Sequence, residues 1–339
     1  MKELGYHLGL LGLSGVLALA VWTKDEEAPK PNLEQVEVWG GEPSGIQKIT
    51  FDAGNRKVRI EAKSDGQGAY YVTTVDKEEA APPPDPHGHG QAPKPMPPKA
   101  EAKKEHLVFV SVKTGEELAK SLAPLKALRT VGKIDPKRAE EFGFDKPEGT
   151  VKVTIGGREH ALVIGGATPG GGERYAKYLA NGEVFAVAGD ITQNLMFAES
   201  RLMERELHGF KPEDVTRVRV SKGNKSRELS KVKEKTDGWA DPAKPDKLDE
   251  TAGNWMAKLG RLRVQEYVEK PAKQFKPEEA IVRVDYFEGS KSSGFIELFK
   301  VPGEKGNEFL AKTEYGRWYV KVLTSNAEQV ESDLGSVLK

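Results

Sequence analysis

The stretch ITFDAGNRKVRIE (49–61) decides how this chain is read. Two short runs alternate apolar and polar residues on either side of Asp52-Ala53-Gly54-Asn55. Period-two patterning broken by Gly and Asn reads as a β-hairpin. Far downstream, VRVSKGNKSRELS (218–230) has the same form, again with Gly-Asn-basic at the turn. Working outward from this pair, further echoes come in the same order. LAKSLAPLKAL (118–128) is echoed by AGNWMAKLGRL (252–262), and AEEFGFDKPEGTVKVTIGG (139–157) by AKQFKPEEAIVRVDYFEG (272–289). RYAKYLANGEVFAV (174–187) is echoed by FLAKTEYGRWYVKV (309–322), and each is followed by a capped helix. These open at Asp190 and at Ser325, with Glu328 in the capping-box position. Two copies make a domain duplication, whereas a solenoid needs three or more repeats.

The expected fold class is therefore α+β: a tandem duplication of a β-rich antiparallel unit with a few short helices, preceded by one N-terminal transmembrane helix. The first unit covers 34–205 and the second 209–339. Strands are expected at Val36–Trp39, Ile46–Phe51, Lys57–Glu61, Ala69–Val75 and His106–Val112. Thr114 and Glu117 form a capping-box pattern before Leu118, Leu122 and Leu125, with Pro124 bending or shortening that helix. Asp135-Pro136 caps a short helical turn ending at Gly143. Residues 78–105 are rich in proline and lack aromatics, so they read as a disordered insertion in the first unit. His87 and His89 within it form an H-x-H, but a metal site needs more ligands on a rigid frame.

Leu4 to Trp22 carries one His and no charged side chain. A helix of about 19 residues reaches roughly 28 Å, enough to cross a hydrocarbon core. Two readings compete for residues 1–24. Ala18-Leu19-Ala20 could be cut by a signal peptidase, yet the run exceeds the usual h-region of about 7–15 residues. The retained anchor is favoured. Lys2 precedes the span and Asp25-Glu26-Glu27 follows it, which places the N-terminus in the cytoplasm and the body outside. Gly5, Gly9, Gly12 and Gly15 fall along one side of that helix, a candidate packing face for another membrane helix.

Composition narrows the function classes. Lys+Arg and Asp+Glu balance at 52 each, which argues against a nucleic-acid partner. The chain has no cysteine, so disulfides, thiolate zinc sites, Cys nucleophiles and lipoprotein acylation are excluded. GGATPGGG (165–172) invites a phosphate-loop reading, but no Gly-Lys-Ser/Thr follows and the next run is a strand. It and VPGEKGN (301–307) read as hairpin loops. No serine-hydrolase elbow or metal-binding His helix is present. The six histidines include His7 in the apolar run and the scattered His106, His160 and His208. No catalytic, cofactor or metal residue is assigned, and no cofactor is expected. Trp239, Trp255, Tyr286, Phe287, Phe295, Phe299, Phe309, Trp318 and Tyr319 crowd the second unit as core residues or as a ligand or partner surface.

The F-G-F-D-K-P turn (142–147), the I-G-G-A-T-P-G-G-G loop (164–172) and the R-Y-A-K…E-V-F-A-V hairpin, behind an apolar N-terminal run, resemble the bacterial family DUF4340 from about Ile46 onward. That resemblance implies an accessory protein of the bacterial inner membrane with a periplasmic body. Its implied partner is a membrane protein such as an ABC transporter permease or auxiliary subunit of the gliding-motility type. It carries over no catalytic residue. The insertion at 78–105 departs from the family pattern. The alternatives are a periplasmic binding module for glycan, lipid or peptide, using a groove between the two copies, and an envelope hydrolase.

Overall fold

The computed structural model describes residues 35–79, 103–232, 238–271, 275–276, 279–303 and 306–339. The expected span, with Gly5, Gly9, Gly12 and Gly15, lies outside them, as do His7, His87 and His89. Among the described residues no helix is long and apolar enough to cross a membrane.

The first unit runs β1 (Val36–Trp39), β2 (Ile46–Asp52), β3 (Arg56–Asp65), β4 (Gly68–Glu79), β5 (Lys103–Ser111), α1 (Lys113–Leu122), β6 (Leu125–Ala127) and β7 (Arg129–Gly132). It continues with β8 (Gly149–Ile155), β9 (Arg158–Ala167), β10 (Glu173–Tyr178), β11 (Val184–Ala188), α2 (Gly189–Met196) and α3 (Ala198–Arg201). The second unit runs β12 (Arg217–Lys222), β13 (Lys225–Lys231), β14 (Trp239–Ala240), α4 (Glu250–Leu259), β15 (Val264–Val268), β16 (Val282–Glu288), β17 (Lys291–Gly303), β18 (Gly306–Thr313), β19 (Tyr319–Val322) and α5 (Thr324–Val337).

Two large antiparallel sheets result, beside a two-stranded one of β1 and β6. The nine-stranded one is ordered β5-β4-β3-β2-β8-β9-β10-β11-β7, and the eight-stranded one β14-β13-β12-β16-β17-β18-β19-β15. Leaving β5 aside, the two orders match strand for strand. The alternation that identified the first hairpin sets its register. Ile49 pairs with Ile60 and Phe51 with Val58, and all four are buried on one face. Gly54 and Gly223 hold the equivalent turns at φ 78° and 57°, a left-handed conformation that glycine adopts without a Cβ clash.

Helices cover the apolar face of each sheet. Leu118 and Leu122 of α1 and Ile191 and Leu195 of α2 are buried in the first unit. In the second, α4 packs on α5, and the buried Trp255 indole donates to the Val330 carbonyl at 2.9 Å. Truncating a side chain so enclosed costs about 3–5 kcal/mol. The buried apolar residues of both units form one continuous cluster.

Four local expectations are corrected. Pairing of Glu78 with Lys104 and Glu79 with Lys103 extends β4 and β5 into the proline-rich stretch, and Lys77 meets Glu105 at 2.7 Å. Only 80–102 of the expected 78–105 lies outside the described residues. The Thr114 capping box does not form. Helix α1 starts two residues earlier, with Val112 and not Thr114 at the cap position, and the Thr114 hydroxyl donates instead to the Leu202 carbonyl at 2.7 Å. The helix opening near Asp190 breaks at Phe197 into α2 and α3. Likewise α5 starts at Thr324 with no side-chain cap from Leu323, the residue before it.

Candidate functional site

The chain passes from one unit to the other through Leu202–Val215, and that connection meets both sheets. Glu204 is 6% exposed. Its amide donates to Val110 of β5 at 3.0 Å, and its carboxylate accepts from the Lys113 amide at 3.2 Å and the Tyr315 hydroxyl at 3.1 Å. The Tyr267 hydroxyl of β15 donates to the Glu204 carbonyl at 2.8 Å. Burial, and then the Glu204 charge, push both phenols well above their ordinary range, so they stay protonated as donors. A second seam contact joins the β3–β4 turn to the β18–β19 turn. Arg317 lies 3.3 Å from the Asp65 carboxylate with its guanidinium 5.4 Å from the Tyr70 ring. Arg317 is held at φ 60°, a left-handed conformation uncommon for a residue with a Cβ.

The two units differ most just before their first sheet strands. VWGGEPSGI (38–46) and LHGFKPEDV (207–215) share Gly and Pro at one spacing, and each Pro opens a 3-10 turn, at Pro43–Gly45 and Pro212–Asp214. By that match Trp39 of the first unit corresponds to His208 of the second. In the first unit β1 pairs with β6, and the buried Trp39 indole donates to the last helical carbonyl of α1, Leu122, at 2.8 Å. Trp39 also stacks on His160, whose Nδ1 lies 2.8 Å from the Tyr178 hydroxyl. Burial and the nearby Arg158 lower the His160 pKa, so this imidazole is a neutral packing group.

In the second unit His208 is bonded to a carboxylate instead of to a helix carbonyl. Its Nδ1 is 3.1 Å from Glu314, and its ring stacks on Phe210 at 4.6 Å. The strand pairing reduces to the Val264 amide donating to the Arg205 carbonyl at 3.3 Å. A cavity of about 400 Å³ is left between the connection and the C-terminal end of α4. Leu207, Val215, Trp239, Met256, Leu259 and Leu262 make its apolar wall. Lys231, Arg261 and Arg263 stand on its lining against a single carboxylate, Glu206.

A second cavity, about 470 Å³, lies on the other side of the second sheet, under the β15–β16 connection. Phe275 packs edge-on against Phe299 at 5.0 Å and Tyr319 at 4.9 Å, and Leu310 joins Phe299 in the lining. Its charged rim is compensated internally. Lys321 meets Glu308 at 3.1 Å and Glu266 at 3.3 Å, and Lys276 meets Glu279 at 2.8 Å. At the corresponding place of the first unit glycines let backbones touch. A Cβ on Gly165 would come within 2.3 Å of the Phe142 carbonyl oxygen, and one on Gly143 within 2.4 Å of the Gly166 amide. The paired strands place Phe299 and Lys300 where Gly165 and Gly166 stand, so that Phe275 meets a side chain where Phe142 meets backbone.

Of the glycine run at 165–172, residues 168–172 form the loop between β9 and β10 while Gly165 and Gly166 belong to β9; of 301–307, 301–303 end β17 and 306–307 open β18. His106 pairs with Asp76 at 2.6 Å on an exposed strand. Among the described residues no group of three or more His, Asp or Glu side chains is placed to hold a metal. Of the aromatics singled out from the sequence, Trp255 and Phe309 are core; Trp239 and Tyr286 line the first cavity and Phe299 the second. Phe287 and Phe295 lie on the open sheet face under the guanidinium groups of Arg217 and Arg283, at 4.1 and 4.4 Å. Sequence reading missed His208, Arg261 and Arg263. The Gly/Pro spacing shared by 38–46 and 207–215 was the signal that could have found the first.

No curated protein and no solved structure matches the chain significantly. A family model described as "Domain of unknown function (DUF4340)" matches residues 112–280, about half of the chain and narrower than the stretch over which motifs resemble that family. Over that span, which crosses the seam between the two units, the chain belongs to the DUF4340 family.

Proposed function

We propose that the protein is a membrane-anchored, extracytoplasmic accessory protein, non-enzymatic, whose duplicated body serves a partner in an envelope complex of the ABC-transporter type. The observation that carries this reading is the uncharged apolar run Leu4–Trp22 ahead of a polar tether. The seam supports it: Glu204, Tyr315, Tyr267 and Arg317 tie the units into one block suited to presenting a fixed surface. The test has two parts. Carbonate washing of membranes should leave the full chain in the pellet, and external protease on spheroplasts should digest the body. Release into the soluble fraction with residues 1–20 removed would overturn the anchor. A mild-detergent pull-down should then recover a membrane-protein partner, lost when residues 1–24 are deleted if the Gly5, Gly9, Gly12 and Gly15 face makes the contact.

A second reading, a periplasmic ligand-binding module, is favoured by a specific observation: the second unit keeps two cavities where the corresponding places of the first are filled by Trp39 and closed by Gly165.

A further inference from the structure

We propose that the cavity between the Leu202–Val215 connection and the end of α4 binds a small amphiphilic carboxylate, an acyl chain with one anionic head. The inference stands apart from the membrane anchor and would survive its failure.

Shape gives the first argument. The first unit fills the equivalent place with the Trp39 side chain and closes it with the β1–β6 pairing. The second unit has the same helix end and the same Gly/Pro connection, but His208 is committed to Glu314 and leaves about 400 Å³ open. Small-molecule pockets of this kind span about 300–1,000 Å³ and are mostly apolar with a few placed polar groups. The wall suits an acyl chain, since Leu207, Leu259, Leu262 and the adaptable Met256 are aliphatic.

Charge gives the second. Lys231, Arg261 and Arg263 are three cations on the lining, and Glu206 is the one carboxylate. Glu206 reaches Arg263 only at 3.9 Å, while Arg263 and Lys231 donate to the backbone carbonyls of Gly260, Leu262 and Pro212. Among the described residues the Arg261 side chain has no partner, and its guanidinium is an exposed fork fitted to a carboxylate. In the other cavity, Lys321 and Lys276 already have carboxylates. An anionic head over an aliphatic body therefore complements this cavity and not its neighbour.

The test is calorimetric titration of octanoate into the full chain, held in nanodiscs of zwitterionic lipid or, if it does not stay with membranes, in buffer, with the matching blank and octanol as the uncharged control. One saturable site is expected, with octanol weaker by about tenfold, the loss of one charge-assisted pair. Arg261→Gln should weaken octanoate by a similar factor and leave octanol unchanged. Ala257→Phe, at an exposed position of α4 on the cavity lining, should abolish both while the melting temperature holds. Absence of a saturable site, octanol binding as tightly as octanoate, or octanoate binding untouched by both substitutions would each overturn the proposal.

Discussion

The two units share one strand order, one helix placement and one turn chemistry, yet the first is closed where the second is hollow. Two small differences produce this. Trp39 against His208 decides whether the end of the first helix is plugged. Gly165-Gly166 against Phe299-Lys300 decides whether the covering phenylalanine, Phe142 or Phe275, reaches the strand backbone. A fold repeated twice can thus hold its shape with one copy and keep free volume in the other, because sheet register and helix packing do not depend on those positions.

The comparison breaks hardest at Trp39. Trp39→Ala should cost about 3–5 kcal/mol in urea unfolding, since it opens a void and strips the Leu122 carbonyl of its donor. A loss under 1 kcal/mol would mean that the plug is not what closes the first unit. Gly165→Val tests the other closure. The added side chain meets the Phe142 carbonyl and the Phe144 ring, and about 1–3 kcal/mol of destabilisation is expected in urea unfolding.

Helix capping sharpens the contrast at a smaller scale. Asp249 caps α4 by accepting from the Ala252 amide at 2.9 Å and pairs with Arg227 at 2.6 Å, whereas α1 has no side-chain cap. Asp249→Ala should cost about 1 kcal/mol. Burial alone would raise the Asp249 pKa, but the Ala252 amide and Arg227 outweigh it and hold the carboxyl below its usual range. A depressed folded-state pKa gives stability that is full above the unfolded value, about 4, and lost as pH falls through the folded one. The wild-type advantage over Asp249→Ala should therefore be flat at neutral pH and shrink in acid. An advantage that grows in acid would contradict this assignment.

The smallest expected effect is at the β18–β19 turn. Gly182 holds the matching turn of the first unit at φ 75°, and Arg317 holds this one at φ 60°. Arg317→Gly should come out more stable than Arg317→Ala by about 0.5–1 kcal/mol, because both lose the Asp65 and Tyr70 contacts but only Gly tolerates the backbone. Equal stabilities would show that the turn relaxes once the guanidinium is gone.

Most of the strand map was legible in the sequence. ITFDAGNRKVRIE and VRVSKGNKSRELS carry alternation and a Gly turn, both local signals, and both hairpins formed as read. The capping boxes at Thr114 and Ser325 were legible too, but misleading. Thr114 found a stronger claim on its hydroxyl in the Leu202 carbonyl, a partner brought close only by the folded connection. The candidate site was scarcely legible at all. Lys231 lines one cavity with Arg261 and Arg263 because β13 and the end of α4 converge, and nothing in its sequence distance from them records it. The cavity wall consists of ordinary helix and strand leucines, identical in pattern to residues that fill a core.

Sheet topology also has a kinetic side. Each sheet is largely a run of neighbouring hairpins, broken at an edge pairing, β7 with β11 and β15 with β19, and at a central pairing: β2 with β8, and β12 with β16. The first joins Ile49 to Val153 across β3 to β7; the second joins Val220 to Val284 across β13, β14, α4 and β15. Closure entropy rises with the logarithm of the loop, and non-local pairings are slow to form. The second unit closes the shorter loop and needs nothing from β5. It is thus positioned to mature first and to offer β15 as a template on which Val110 and Glu204 finish the slower unit, even though that unit is synthesised earlier.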